Sequence, residues 1–167
     1  MRRARLLHPA ALAGAVSCAA LTVAAFRSGD VALYNSTPSM PIGLYLRTSG
    51  SFTRGAIVTV RAIDVAPDYA VQRAFTKPGD RFLKHIIATE GDVVCADGLT
   101  VSVSGRGDWR RATHDAEGRL LPTWSGCRTL ARNEVLLLGE TADSFDGRYW
   151  GPTPVSRIEG VWRRLGA

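Results

Sequence analysis

The sequence predicts a mainly β domain behind one N-terminal transmembrane helix. Three observations lead to this fold class: one uncharged apolar segment near the N-terminus, a series of short apolar runs beyond residue 30, and turn-forming residues between those runs. Only residues 66–76 have the pattern of a helix, and a short one. The chain of 167 residues suits one domain of moderate size. The runs predicted to be strands are residues 43–47, 56–63, 81–88, 92–95, 99–103, 134–140 and 160–165.

The transmembrane helix is predicted from residues 9–26, which hold 18 consecutive uncharged residues after the Arg-rich start "MRRAR". Such a length can just span a bilayer, and the basic flank predicts a cytoplasmic N-terminus. A cleaved secretory signal is the alternative, although the segment exceeds the usual apolar core of about 7–15 residues. Both interpretations place residues 28–167 across the membrane as the exported domain and leave residues 1–27 as flank and anchor.

The positive charge of the chain is concentrated in that flank. The formal net charge is +6, and four of the 21 basic residues lie in the first 27 residues, which contain no acidic residue. Residues 28–167 therefore carry 17 basic against 15 acidic side chains. A nucleic-acid partner is not expected from so even a balance, and the membrane is the partner that the charge favours.

Three cysteines allow at most one disulfide in the exported domain. Cys18 lies within the apolar segment, whereas Cys95 and Cys127 lie where oxidation is allowed. A bridge between them would contribute roughly 3–4 kcal/mol in the chain-entropy model, but sequence alone does not show that they approach each other. No CxxC and no Cys/His spacing typical of zinc occurs, so no metal or cofactor is predicted.

The stretch "TPSMP", residues 37–41, is the first candidate for chemistry. Pro38 and Pro41 restrict the backbone on both sides of Ser39. A serine in a turn commonly serves the turn alone. A nucleophile, however, must be held in place, and the two prolines would do so.

Lys84 is the second candidate, because lysine is rare here and this one is set in an apolar strand. The chain has only two lysines, the other being Lys77. Strand alternation places Lys84 on one face with Phe82 and Ile86, and the opposite face of the run is also largely apolar. Burial lowers the pKa of a lysine, so that its neutral amine can act as a base, which arginine cannot do. The alternative is a packed stem whose ammonium group reaches water.

The third candidate is "LLLGETADSFDGRYWGPTP", residues 136–154, where a strand runs into a Gly-rich turn. Ser144 could hydrogen-bond the lysine amine, and an ion pair of Asp146 with Arg148 could hold the shape of the turn. Taken as a surface pair it would contribute only about 0–1 kcal/mol, so its expected role is orientation. The alternative is a solvated loop.

A histidine-based triad is the rival chemistry, and the sequence does not favour it. His8 lies in the N-terminal flank, and His85 points away from the Lys84 face of a regular strand. His114 lies in residues 104–133, a polar, Arg-rich insertion whose structure the sequence does not predict. No GxSxG, SxxK or HExxH motif occurs.

Taken together, these stretches resemble the signal peptidase I superfamily, serine peptidase family S26, and most closely its TraF-type conjugal transfer peptidases. The resemblance rests on four motifs in order from residue 37 to residue 152, and residues 104–133 do not carry it. It implies a signal-peptidase-like β-barrel or sheet domain. The motifs are "TPSMP", "RGAIVTV", "FLKHIIATEGDVV" and "GETADSFDGRYWGP".

The resemblance also implies roles for the residues of these motifs. Ser39 would be the nucleophile and Lys84 the general base of a Ser/Lys dyad. The backbone N–H of Ser39 and the hydroxyl of Thr37 would stabilise the oxyanion. Of the turn residues described above, the serine would orient the lysine amine, and the Asp/Arg pair would support that geometry.

The implied function is a membrane-anchored serine endopeptidase that processes exported precursors. A conjugative pilin precursor is the leading substrate, and the same chemistry allows a cyclising transpeptidation. The implied location is the bacterial inner membrane, with one span and a periplasmic catalytic domain, where components of a conjugation apparatus are further partners. The alternatives are a general type I signal peptidase, a non-catalytic adapter of a mating-pair or secretion apparatus and, more remotely, a self-cleaving repressor.

Overall fold

The computed structural model describes residues 30–166, and the predicted flank and anchor, residues 1–27, lie outside this range. In the described range no helix combines the length and the apolar character that crossing a bilayer requires. Residues 32–166 belong to one compact unit, which begins at Ala32.

The predicted mainly β fold is confirmed, since eleven strands and a few short helices make up the described chain. Every run predicted to be a strand overlaps one. The strands are β1 Ala32–Asn35, β2 Gly43–Thr48, β3 Ile57–Arg61, β4 Arg81–Ala88, β5 Val93–Asp97, β6 Thr100–Val103, β7 Gly107–Arg110, β8 Gly126–Thr129, β9 Glu134–Leu138, β10 Thr153–Pro154 and β11 Ile158–Arg164. The helices are α1 Ala62–Val65, α2 Pro67–Gln72 and α3 Gly147–Trp150, with a 3₁₀ turn at Val155–Arg157.

The helix predicted at residues 66–76 is shorter in the structure, where α2 covers Pro67–Gln72. Pro67 occupies the first turn, where its missing N–H costs no hydrogen bond. Ala74 has a φ of 52°, which ends the helical path before the turn at residues 77–80. Residues 62–63, predicted to extend β3, begin α1 instead.

Two antiparallel sheets form the fold. Seven strands form the first in the order β1-β2-β11-β3-β4-β9-β10, and four form the second in the order β7-β6-β5-β8. Strand β4 lies inside the first sheet between β3 and β9, with Val58 of β3 opposite Lys84 and Leu137 of β9 opposite Ile86. Lys84 therefore has a paired strand on each side of its own.

Residues 104–133, which the sequence left without a structure, supply both outer strands of the second sheet. Strand β7 pairs with β6, and β8 pairs with β5. Cys95 lies directly opposite Cys127 in the β5–β8 pair, with 4.0 Å between their Cα atoms, and the structure joins their Sγ atoms in a disulfide. The apolar side chains beneath this sheet pack with Leu136 and Leu138 of β9, so the two sheets share one core.

Candidate active site

Ser39 lies in the turn between β1 and β2, and the amide of Asn35 holds that turn in shape. Asn35 is buried, and its Nδ2 donates to the carbonyls of Thr37, Met40 and Pro41 at 2.8, 2.9 and 3.2 Å. Met40 is fully buried and anchors the turn from below. Sequence reasoning missed Asn35. Its signal would have been a polar residue at the end of a strand, next to the candidate nucleophile.

Lys84 contacts Ser39 directly. Its Nζ donates to Ser39 Oγ at 3.0 Å, and Lys84 is only 2% exposed. Burial lowers the pKa of Lys84 to about 8; the Asp146 carboxylate opposes this by raising it, and Arg148 lowers it further. With that pKa about one amine in ten is neutral at pH 7, against about one in three thousand for an unperturbed lysine. The geometry therefore supplies a serine hydroxyl beside an amine that can accept its proton.

Thr37, predicted to stabilise the oxyanion, lies beside the Ser39 hydroxyl. Its Oγ1 is 3.0 Å from Asn35 Oδ1, to which it donates, and 3.4 Å from Ser39 Oγ. The Ser39 N–H has no acceptor among residues 30–166. Both groups predicted as oxyanion donors are thus within the turn. To donate to an oxyanion, the Thr37 hydroxyl would have to break its hydrogen bond to Asn35 Oδ1.

Ser144, predicted to orient the lysine amine, lies at the site but does not bond that amine. It is 3% exposed, and its Oγ has no hydrogen-bond partner within the described part of the chain. Ser144 packs directly against Gly139, which has no side chain. A Cβ at Gly139 would lie 2.2 Å from Ser144 Oγ and 2.7 Å from the carbonyl oxygen of Ser39. The N–H of Glu140 donates to that same carbonyl at 2.8 Å. The end of β9 therefore meets the Ser39 turn so closely that only glycine fits, which the sequence analysis did not detect.

Asp146 and Arg148 form a buried pair, so the expectation of a surface pair is wrong. Asp146 is 0% and Arg148 2% exposed, with 2.8 Å between Asp146 Oδ2 and Arg148 Nη2. The carboxylate also accepts from the N–H of Gly139 at 2.8 Å, and the guanidinium donates to the carbonyls of Thr141 and Ala142 at 2.8 and 2.9 Å. Removing one partner of such a pair costs about 3–5 kcal/mol, far more than a surface pair contributes.

A cavity of about 310 Å³ opens onto Ser39 and Lys84. Four aromatic side chains contribute to its walls, and the ring of one of them, Phe145, stacks on that of Tyr69 with centroids 3.4 Å apart. A cleft of this size and lining can hold apolar side chains of an extended peptide beside the serine. The aromatic residues that line it are Tyr34, Phe75, Phe82 and Phe145.

The histidines of the described residues are occupied elsewhere. His85 contacts the carbonyl of Gly55 through Nδ1 at 3.2 Å and Glu140 Oε1 through Nε2 at 2.9 Å. His114 Nδ1 contacts Thr113 Oγ1 at 2.9 Å. Within residues 30–166 no three His, Cys, Asp or Glu side chains are grouped as ligands of a metal ion would be.

A match to a known protein family covers almost the whole chain. Residues 4–165 match the family described as signal peptidase, peptidase S26, and the chain belongs to that family. The predicted membership is therefore confirmed, and the chain is a peptidase of this family.

Two relatives point to one branch. The chain is 36% identical over 155 residues to a plasmid transfer protein TraF of Escherichia coli, covering 86% of each protein. It is 34% identical over 156 residues to a second TraF protein of Escherichia coli, covering 87% of this chain and 88% of the relative. Among solved structures, a signal peptidase I of Enterococcus faecalis V583 matches with a TM-score of 0.39 and 17% identity, over 68% of this chain and 98% of the other.

Proposed function

We propose that the chain is a membrane-anchored serine endopeptidase that uses a Ser39/Lys84 dyad to process exported precursors, with a conjugative pilin precursor as its leading substrate. The observation that carries this proposal is the 3.0 Å hydrogen bond from Lys84 Nζ to Ser39 Oγ in a buried setting. The substrate class is proposed from the relatives, which are described as plasmid transfer proteins. A cytoplasmic N-terminus and a periplasmic catalytic domain follow from the charge pattern of the first 27 residues.

In the proposed first half-reaction, the neutral Lys84 amine takes the proton of Ser39 Oγ while that oxygen attacks the scissile carbonyl carbon. The resulting oxyanion accepts hydrogen bonds from the Ser39 N–H and from the Thr37 hydroxyl once it turns from Asn35. The Lys84 ammonium group then gives its proton to the departing amine, and the peptide C–N bond breaks. An ester between Ser39 Oγ and the new C-terminus remains.

In the second half-reaction the same amine removes a proton from the group that attacks the ester. Water yields a linear product with a free carboxylate, whereas the N-terminal amine of the same peptide yields a closed peptide bond. Both outcomes restore the Ser39 hydroxyl and the neutral amine. The dyad therefore supports hydrolysis and cyclising transpeptidation alike, and the substrate's own amine decides between them.

The test is cleavage of a candidate conjugative pilin precursor by membranes that carry the full chain. Products are weighed by mass spectrometry for wild type, Ser39→Ala and the control Ser36→Ala, which alters an exposed serine of the same turn. Wild type and Ser36→Ala should give the same product, and Ser39→Ala should give none. A product lighter than the trimmed pilin by one water identifies transpeptidation, and a linear product identifies hydrolysis.

A failure to change the pilin precursor would overturn the pilin assignment. A panel of secretory precursors incubated in parallel then separates the remaining classes. Ser39-dependent cleavage of that panel would identify a general signal peptidase. Equal processing by Ser39→Ala and wild type, for either substrate, would overturn the dyad.

A further inference from the structure

Residues 104–133 carry no motif of the family, yet they contact the turn that holds the Asp146–Arg148 pair. Arg111, which follows β7, is only 5% exposed. Its Nη1 donates to the carbonyl of Arg148 at 2.8 Å. In the opposite direction, Arg148 Nη1 donates to the carbonyl of Arg110 at 3.1 Å. The two segments are thus joined by reciprocal guanidinium–carbonyl bonds.

The remaining donors of Arg111 join two further segments. Its Nε and Nη2 donate to the carbonyl of Gly98 at 3.1 and 2.9 Å, and Nη2 donates to the carbonyl of Trp124 at 2.8 Å. All of these acceptors are backbone carbonyls, and no ion pair of Arg111 with a carboxylate occurs in the part of the chain that the structure describes. Burying a guanidinium without a counter-ion costs free energy. We therefore expect Arg111 to have a role other than general stability.

Trp124 and Tyr149 add two contacts between the same segments. Trp124 Nε1 donates to the carbonyl of Gly147 at 3.0 Å, and its ring would lie 3.5 Å from a Cβ at Gly151. The Tyr149 hydroxyl accepts from the N–H of Ala112 at 3.0 Å. The segment of residues 110–124 therefore holds this turn from outside at Gly147, Arg148 and Tyr149.

We propose that residues 110–124 clamp the turn of residues 146–149 against the core, and that Arg111 and Trp124 are positioning residues for Lys84. They act through the Asp146–Arg148 pair, whose carboxylate accepts from the N–H of Gly139. Gly139 in turn packs against the carbonyl of Ser39, the residue whose hydroxyl accepts from the Lys84 amine. The inference deepens the proposed Ser39/Lys84 mechanism and rests on it. It assigns a function to the insertion that the family motifs do not cover.

Burial is the main cause of the low pKa of Lys84. A loosened turn would admit water beside the amine and weaken that effect, so the pKa of Lys84 would rise. A rise of about one pH unit lowers the neutral fraction at pH 7 about tenfold. Turnover should fall by about the same factor, because fewer amines can accept the serine proton.

The experiment reads the Lys84 amine directly, because the chain has only two lysines. The full chain is labelled with [6-¹³C]lysine in detergent micelles, and the two signals are titrated by NMR, with Lys77→Arg for assignment. The variants are Arg111→Met and Trp124→Phe, and the second of these removes one donor and no charge. Arg110→Met is the matched control, since it removes an equal charge from the exposed neighbouring side chain.

In Arg111→Met and Trp124→Phe the Lys84 midpoint should rise, by about one pH unit in the former, while Lys77 is unchanged. Turnover at pH 7 should fall about tenfold in Arg111→Met with KM within about twofold of wild type. Arg110→Met should match wild type in both readouts. Folded variants with the Lys84 midpoint and turnover of Arg110→Met would overturn the clamp.

Two safeguards keep the outcomes separate. If Arg111→Met does not give a cooperative thermal transition, Trp124→Phe decides the question alone. Since the NMR titration requires no substrate, an inactive wild type would count against the proposed function and leave the positioning inference to its own test. An Arg110→Met variant that shifts as far as Arg111→Met would assign the effect to charge and overturn the clamp as well.

Discussion

The burial of Lys84 should make the protein less stable at neutral pH than it would be without this lysine. The pKa of Lys84 falls from 10.5 to about 8, so at pH 7 both the folded and the unfolded chain carry the charge, and the folded chain carries it out of water. That difference corresponds to about 3 kcal/mol at about 1.4 kcal/mol per pH unit. Lys84→Met removes the charge and shortens the unbranched side chain by one atom. It also loses the bond to Ser39 Oγ, worth about 1 kcal/mol. The expected net gain in the free energy of unfolding at pH 7 is about 2 kcal/mol.

The sign of the pH dependence follows from linkage. Between pH 8 and pH 10.5 the unfolded chain binds more protons at Lys84 than the folded chain does, so the stability of wild type rises with pH in that window. Lys84→Met lacks this group, and its advantage over wild type should shrink from pH 8 upward. Below pH 8 the advantage should be constant.

Denaturant unfolding of the full chain in detergent, followed by tryptophan fluorescence at pH 7, 8.5 and 10, measures this difference. Lys77→Met is the control, since Lys77 is exposed and should leave the free energy of unfolding unchanged. Lys84→Met should also be inactive, so that the gain in stability accompanies the loss of function. A Lys84→Met variant that is less stable than wild type by the same amount at all three pH values would refute the reasoning.

Three further predictions concern the site itself. Lys84→Arg should lower kcat at pH 7 by at least about 10⁴-fold, because arginine stays protonated, and a near-normal rate in a precursor-cleavage assay would exclude Lys84 as the base. Thr37→Val should lower kcat about 10²-fold with an unchanged melting temperature, and unchanged kinetics would assign the oxyanion bond to another donor. Gly139→Ala should lower kcat on the order of 10²-fold and destabilise the fold, since its Cβ would meet Ser144 Oγ at 2.2 Å and the Ser39 carbonyl at 2.7 Å. Wild-type activity and stability in that variant would show that the Ser39 turn tolerates displacement.

Much of the fold was predictable because strand formation follows short-range patterns. Strand β4 covers the predicted residues 81–88, and its buried lysine follows from apolar neighbours two residues away on either side. Strands β7 and β8 were not predicted, because nearly all of their side chains are exposed and the strands form by pairing with the outer edges of β5 and β6. Their own sequences contain little that favours a strand.

The individual residues of the candidate site could be predicted from the sequence, but the contacts between them could not. The four motifs named the serine, the lysine and the Asp/Arg pair, yet that pair was taken for a surface one because its burial depends on packing from elsewhere in the chain. Gly139 was missed for the same reason, since the need for glycine arises only when β9 meets the Ser39 turn. Ser144 remains a predicted residue of the site, and its hydroxyl makes no bond to the lysine amine in the described structure.

The sequence by itself determined the family, the β character of the domain and the residues proposed as nucleophile and base, because motif order and strand alternation are local properties of the chain. Only the tertiary structure decided how those residues meet. Lys84 reaches Ser39 across 45 positions, and Arg111 reaches Arg148 across 37. A contact over such a distance depends on how whole strands pair and on which groups lose water when they do. The complete fold therefore sets both the pKa of the lysine and the contacts between residues 110–124 and the turn of residues 146–149.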